Sequence, residues 1–302
     1  MYSITQRNKG ITAILLLALF SVLMGVVVRE LSDSFTLFQQ IYLRLFTAFL
    51  IGLFVFPGIL NLRSLKKIPQ KDWQLAAFRA LIGFVVGAPL WVSGFSQAKL
   101  ANAVLIDSIP MSALLGFIIL KEPVSMVKFA LLFLSFVGAA IIAVKDFRNL
   151  GGVGIGEILV FCSIIFFALR NVLRRFHTSS VSNAQLTQLM HLFGTVFLFG
   201  LSLLAGESFS SISWTARIIL FTILGGALNV GILFTTNFGF SHLDAVSAGN
   251  LQLIAVVFGV VLGTILYAEV PTLREIAGGV LIVVSVITMN RYAYTPIINN
   301  DK

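Results

Sequence analysis

The sequence predicts an all-α integral membrane protein in which ten transmembrane helices form two inverted five-helix repeats. Three observations lead there. Of the 302 residues, 58% are hydrophobic and 11% charged, with a mean hydropathy of +1.00, whereas an ordinary soluble domain is about 45–50% apolar and about 25% charged. So little polar surface cannot coat a water-soluble globule, which excludes a soluble enzyme. The apolar residues fall into ten blocks of roughly the 20 residues that one bilayer crossing needs. The second half of the chain also repeats the first at a nearly constant offset.

The blocks run 10–28, 35–56, 73–95, 100–120, 124–144, 154–173, 183–204, 214–238, 243–267 and 272–290. The first follows Arg7 and Lys9 but shows no small-x-small cleavage site before Arg29 and Glu30, so it reads as a retained span rather than a signal sequence. Pro57-Gly58, Lys66-Lys67, Glu122-Pro123, Gly151-Gly152, Ser179-Ser180 and Pro271 punctuate the joints. Joints this short make consecutive helices antiparallel neighbours. No block alternates with the period of two that a barrel strand requires. Within span three, Pro89 should bend or break the helix, and in span four Pro110 should release the carbonyl of Ile106.

Charge sets the orientation. The chain carries 21 Lys plus Arg against 12 Asp plus Glu, a net +9, but the basic residues sit in short runs between apolar blocks. That pattern points to membrane orientation and away from nucleic acid. With the N-terminus inside, the outer joints hold six basic residues: Arg29, Lys99, Lys145, Arg148, Arg217 and Arg274. Arg44 and Arg79 lie in or at the edge of spans, and the other thirteen fall inside. Both termini are therefore expected in the cytoplasm of a multi-pass protein of the cell (inner) membrane. Cys162 is the only cysteine, so no intrachain disulfide and no cysteine-based metal site is expected.

The duplication is read from matched positions. Gly10-Ile11 overlays Gly154-Ile155, and Leu15, Leu45 and Phe49 overlay Leu159, Leu189 and Phe193, at an offset of 144. Gly83, Phe95 and Leu100 overlay Gly226, Phe238 and Leu243 at 143, and Glu122 overlays Glu269 at 147, each glutamate one or two residues before a proline (Pro123, Pro271). The expected units are residues 1–148 and 149–302. Five spans per unit is odd, so the second unit must enter from the opposite side. In such inverted repeats the substrate site lies at the repeat interface near the midplane.

Two five-helix halves, an Arg in span two (Gln40-Ile41-Tyr42-Leu43-Arg44) and a helix-ending Glu after spans four and nine resemble the EamA-type ten-span family of drug/metabolite transporters. Pro110 matches the central proline that family carries in span four, while the second half has Ala255 near the matching place. The resemblance covers roughly residues 8–292. It implies an inner-membrane carrier of amino acids or other small metabolites, often an exporter.

The polar residues within the spans are the candidates for function. Arg44 shares a helix face with Gln40, Thr47 and Ala48, and a central Arg should face protein or water because exposure to lipid costs about 2.5–3.5 kcal/mol. It reads either as a structural anchor or as an anionic-group or gating contact. Gln188 and His191 take the places of Arg44 and Thr47 in the second half, and an intramembrane His could carry a proton or simply bond a neighbouring helix. Arg79 is expected to snorkel to the interface. Its face continues through Gly83 and Gly87 to Trp91, a plausible aromatic wall. Asp107 lies about 10 Å into span four, three residues before Pro110. It could bind a cation, bind an amine or exchange protons, or pair with a base such as Lys99. Thr222, Gly225, Gly226, Asn229, Thr236 and Asn237 make one polar face of span eight, and Ser247, Asn250 and Gln252 follow in span nine. Glu122 and Glu269 read as caps.

These residues place a substrate site between spans three, four, eight and nine. Trp91, Asp107, Asn229, Thr236, Asn237, Ser247 and Asn250 are its candidate contacts, with Arg44, Asp107 and His191 for gating or coupling. An aromatic wall beside amides and one acid suits a small zwitterion or an amine-bearing ring compound. A multiply charged phosphate fits poorly, since no cluster of Arg and Lys accompanies the site. Phosphate-cradling GxxxxGK[ST], HExxH and GxSxG motifs are missing from the sequence, so no cofactor, metal or enzymatic role is expected. A channel would want a pore ring or filter loop, and neither is visible. The expected partners are a small-molecule substrate, the lipid bilayer and protons as a coupling ion, with the chain a monomer or weak dimer. Import or exchange of a metabolite, nucleoside- or S-adenosylmethionine-like, would need the same architecture.

Overall fold

The computed structural model describes residues 4–98, 100–122, 125–144, 154–208, 212–267 and 270–292. Among these, no strand forms and nine helices are long and apolar enough to cross a bilayer, while a shorter apolar helix, Leu105–Leu120, lies where span four is expected. Spans one, two and three are Ile4–Leu31, Leu37–Val55 and Gln70–Gln97, and five to eight are Met126–Ala143, Ile155–Phe176, Asn183–Leu204 and Ala216–His242. Span ten is Leu273–Tyr292. Spans four and nine are each two helices: Leu100–Asp107 with Met111–Leu120, and Ala245–Gln252 with Ile254–Tyr267.

Helix starts follow local chemistry. In span seven the Ser182 hydroxyl accepts from the Gln185 amide (3.1 Å) while the Gln185 side chain accepts from the Ser182 amide (3.0 Å), which satisfies two otherwise orphaned donors. Thr36 and Gln39 supply the amide-to-side-chain half of that arrangement in span two (3.2 Å). Ser125 caps span five, Thr215 span eight and Asp244 span nine.

The proline expectations are met in part. Pro89 does not break span three; a seven-residue π-helical stretch, Leu81–Gly87, precedes it and shifts the register, with the Ala88 amide donating to the Gly83 carbonyl. Such wide turns absorb a missing donor without ending the helix. Pro110 does split span four, but the Ile106 carbonyl is not left open, because the Ile109 amide takes it at 3.0 Å. Span nine breaks at Leu253 without any proline, its amide bonding the Asn250 carbonyl at 3.2 Å.

Packing obeys the two-fold relation of the repeats. Span one packs on spans eight and nine, and its counterpart, span six, on spans three and four; two packs on eight, and seven on three. Spans two and seven, four and nine, and five and ten meet their own counterparts. The five–ten crossing is tight enough that a Cβ on Gly138 would lie 2.6 Å from the Gly278 carbonyl oxygen, so neither position tolerates a side chain without the helices parting. Arg7 Nη2 donates to the Asn290 carbonyl at 2.7 Å. The start of span one and the end of span ten therefore share one side of the bundle, the terminal side; the opposite one is the distal side.

Candidate functional site

Trp91 and Asp107 come together. Spans three and four form an antiparallel hairpin, and the two residues lie at similar distances from its distal turn. The indole Nε1–H donates to Asp107 Oδ1 at 3.0 Å, and the Phe95 ring lies 4.3 Å from the Trp91 ring, tilted by 36°. Asp107 ends the first half of span four, and its side chain is exposed. A carboxylate within a span is costly against hydrocarbon and is expected to face protein or water.

The polar face of span eight is largely bonded within the protein. Thr222 and Thr236 donate to the carbonyls of Ile218 and Ile232, and the Asn229 amide to that of Gly225, each at 2.7–3.0 Å. Ser247 is taken up by the cap of span nine, donating from both amide and hydroxyl to Asp244. Asn250, which occupies the repeat position of Asp107, is fully buried with neither side-chain polar atom partnered; both ring nitrogens of the buried His191 are equally unpartnered. Gln188 Nε2 donates to the Phe49 carbonyl at 3.0 Å, tying span seven to span two. Arg44 faces the bundle: its Nε donates to the Gln40 carbonyl (2.7 Å), Nη1 reaches Met24 Sδ (3.2 Å), and its stem fills the space beside Gly225.

Arg79 corrects the snorkelling expectation. It is 0% exposed; Nε donates to the Arg170 carbonyl and Nη2 to Asn237 Oδ1, both at 2.8 Å, and Asn237 Nδ2 in turn donates to the Thr187 hydroxyl at 3.2 Å. The physical reason is the small face of span three. Gly83 and Gly87 let Arg170 and Phe167 of span six lie against the helix, so Arg79 is covered before it can reach the interface. Arg170 itself sits 5.2 Å from the Phe167 ring centroid and 5.7 Å from that of Phe84. By sequence Arg170 is one of the thirteen basic residues counted on the inner side, and no cluster of Arg and Lys is visible near the candidate site. The structure brings the two arginines together, and the glycines on span three were the signal that something bulky lies there.

A polar belt closes the terminal side. Lys121, in the left-handed conformation at φ 51°, ends span four and turns the chain. Glu122 then accepts from the Ala245 amide at 2.8 Å and capably caps span nine of the other half, with Arg175 Nη2 3.7 Å away; Glu269 lies outside the described residues, as does Lys99. Lys128 pairs with Asp244 at 3.5 Å. Asp72 accepts from His177 Nδ1 (2.9 Å), the Thr178 amide (3.1 Å) and the Thr178 hydroxyl (2.5 Å). Together these bonds join span three to the six–seven turn and spans four and five to span nine.

Burial, then the positive charges of Arg79 and Arg174, lowers the His177 imidazole to about 3, so near neutrality it is uncharged and donates from Nδ1 to Asp72. The unfolded chain takes up this proton below about pH 6.5 while the folded protein does not. The His177 contribution to stability is therefore intact above about pH 6.5 and falls as the pH drops toward 3, by up to about 1.4 kcal/mol per unit. Melting in detergent at pH 7.5 and 5.5 should show a larger acid-induced drop for the parent than for His177→Asn, whose amide still donates to Asp72. Equal drops would remove His177 as the source.

Among the described residues, no group of His, Cys, Asp and Glu could hold a metal ion. A family model described as the EamA-like transporter family matches residues 8–144 and 154–291. The Bacillus subtilis transporter YvbV is 27% identical over 241 residues, 77% of each chain. The Synechocystis sp. transporter sll1164 is 22% identical over 241 residues, 75% of this chain and 68% of its own. A protein of known crystal structure superposes with a TM-score of 0.74 at 18% identity, covering 97% of this chain and 100% of its own, a likeness of fold alone.

Proposed function

The chain belongs to the EamA-like transporter family, a family of transporters and not of enzymes, and from that premise we propose that it is a secondary-active carrier. It exports small ring-bearing metabolites that carry an amine, such as amino acids, by alternating access. The observation that carries this reading is the Trp91–Asp107 pair at the break in span four, an aromatic wall and an exposed acid held 3.0 Å apart within the membrane. Asn250 at the matching break of span nine, buried and unpartnered, supplies a polar counterpart from the other repeat. The substrate ring packs on Trp91, amides of spans eight and nine complete the site, and Asp107 couples transport to protons.

The two repeats are residues 1–148 and 149–302, with both termini in the cytoplasm of the inner membrane, a reading supported by the basic residues crowded on the terminal side. In a background without Cys162, single cysteines at Ser180 and Asp33 are expected to label from the cytoplasm and from the outside respectively; the reverse pattern would invert the topology. A thermal-shift series of purified protein against amino acids and aromatic amines tests the substrate class, because a ligand that binds only the folded state raises the melting temperature. The carrier reading expects at least one stabilising ring-bearing amine, and a series with none would overturn that class.

A further inference from the structure

We propose that Arg170 and Arg79 form an anion subsite below the Trp91–Asp107 pair, and that the transported molecule carries a carboxylate or similar anionic group at the end away from its ring. This rests on the carrier reading above and adds a second subsite to it. Among the described residues, neither arginine has an Asp or Glu oxygen within 4.0 Å. The Asp72 oxygens on the terminal side are already engaged by His177 and Thr178. Arg79 is 0% exposed, and its Nη1 is buried with no partner at all. Arg170 has only a neutral acceptor for its side chain, Asn171 Oδ1, at 3.3 and 3.4 Å.

Two guanidinium groups held by neutral amides and carbonyls within the membrane leave positive charge uncompensated, which is expensive there and marks a place for an anion. The surroundings favour a single anionic group over a phosphate cluster, since the groups beside the Arg170 guanidinium are the Phe84 and Phe167 rings, which offer no donor to further phosphate oxygens. Going along span three from the terminal side, the order is Arg79, then Gly83 against the Arg170 stem, Gly87 against Phe167, and Trp91 with Asp107. Gly83 to Trp91 is eight residues, about 12 Å of helix rise. A molecule that reaches both ends is elongated, its ring on Trp91 and its anion at Arg170, which leaves Asp107 free to carry a proton.

Binding of 2-amino-6-phenylhexanoate, 6-phenylhexanoate and 6-phenylhexylamine, whose chains are long enough to place the ring on Trp91 and the far group near Arg170, to the purified full chain separates the possibilities, read as thermal shift and as dissociation constants by calorimetry. The two carboxylates are expected to bind the parent about tenfold or more tightly than the amine, the scale of one charge-assisted contact. In Arg170→Gln the ratio should fall to about twofold or less, with partial retention in Arg170→Lys. Should Arg170→Gln fail to fold, Gly83→Ala gives the same reading, because its Cβ collides with Arg170 Cδ and must move the side chain. Equal binding of all three compounds by the parent overturns the anion subsite and leaves only the ring contact standing, whereas binding of the amine alone overturns the anion subsite and leaves the ring-and-amine reading intact. A carboxylate preference that survives intact in Arg170→Gln and Gly83→Ala also overturns it. No binding by any of the three overturns both readings together.

Discussion

Asp107→Asn is expected to abolish the response of transport to a pH gradient while leaving substrate binding measurable. Asparagine keeps the size of the side chain and an oxygen to accept the Trp91 indole N–H, so the 3.0 Å contact can persist. What it removes is the only titratable proton at the break in span four. One pH unit across the membrane is worth about 1.4 kcal/mol per coupled proton, or tenfold in accumulation. Proteoliposomes of the parent should therefore approach a tenfold gain under a one-unit gradient, and those of Asp107→Asn should show none. Trp91→Ala should act differently, raising the half-saturation concentration by roughly tenfold for the loss of an aromatic contact while the gradient response survives. A gradient response retained in Asp107→Asn would take Asp107 out of the coupling mechanism.

The contrast between these residues and Arg79 explains what the sequence could disclose. Trp91 and Asp107 are 16 residues apart on consecutive spans, and any short antiparallel hairpin that matches their distances from the turn must bring them together. The ten spans and the repeat were legible for a similar reason, since bilayer thickness and a constant offset leave direct marks in composition. Arg79 bonds partners 91 and 158 residues away, on spans six and eight of the other repeat. No periodicity within one span encodes which helix will cover it, so its position near a helix end suggested snorkelling. The break of span nine was hidden because Leu253 is an ordinary helix former, and the π-helical stretch before Pro89 because a register shift leaves no residue signature. Asn237 lies on the polar face of span eight and is 0% exposed, but its two bonds, to Arg79 and Thr187, give it a role in holding the bundle together that a polar stripe alone could not separate from substrate contact.

Asn237→Leu is accordingly expected to damage folding more than any other single change at the candidate contacts, and Arg79→Met to rescue it. Leucine removes the one side-chain acceptor of Arg79, leaving Nη1 and Nη2 both without partners in a site that is 0% exposed. Depriving a buried charged group of its partner costs on the order of 2–3 kcal/mol, against a total stability of about 5–15 kcal/mol for an ordinary domain. Exchanging both members for apolar residues of similar size removes the charge with the acceptor and is often nearly neutral. Thr187 keeps its bond to the Asn183 carbonyl in either case. The folded fraction on gel filtration and the melting temperature should fall sharply in Asn237→Leu and recover in Arg79→Met/Asn237→Leu, with a coupling energy of about 2 kcal/mol between the two sites. A double variant as poor as the two single losses combined would mean that Asn237 acts through contacts other than Arg79. A rescued double variant that still binds ring-bearing amines but no longer prefers carboxylates would show that the charge of Arg79 serves the substrate and its bond to Asn237 serves the fold.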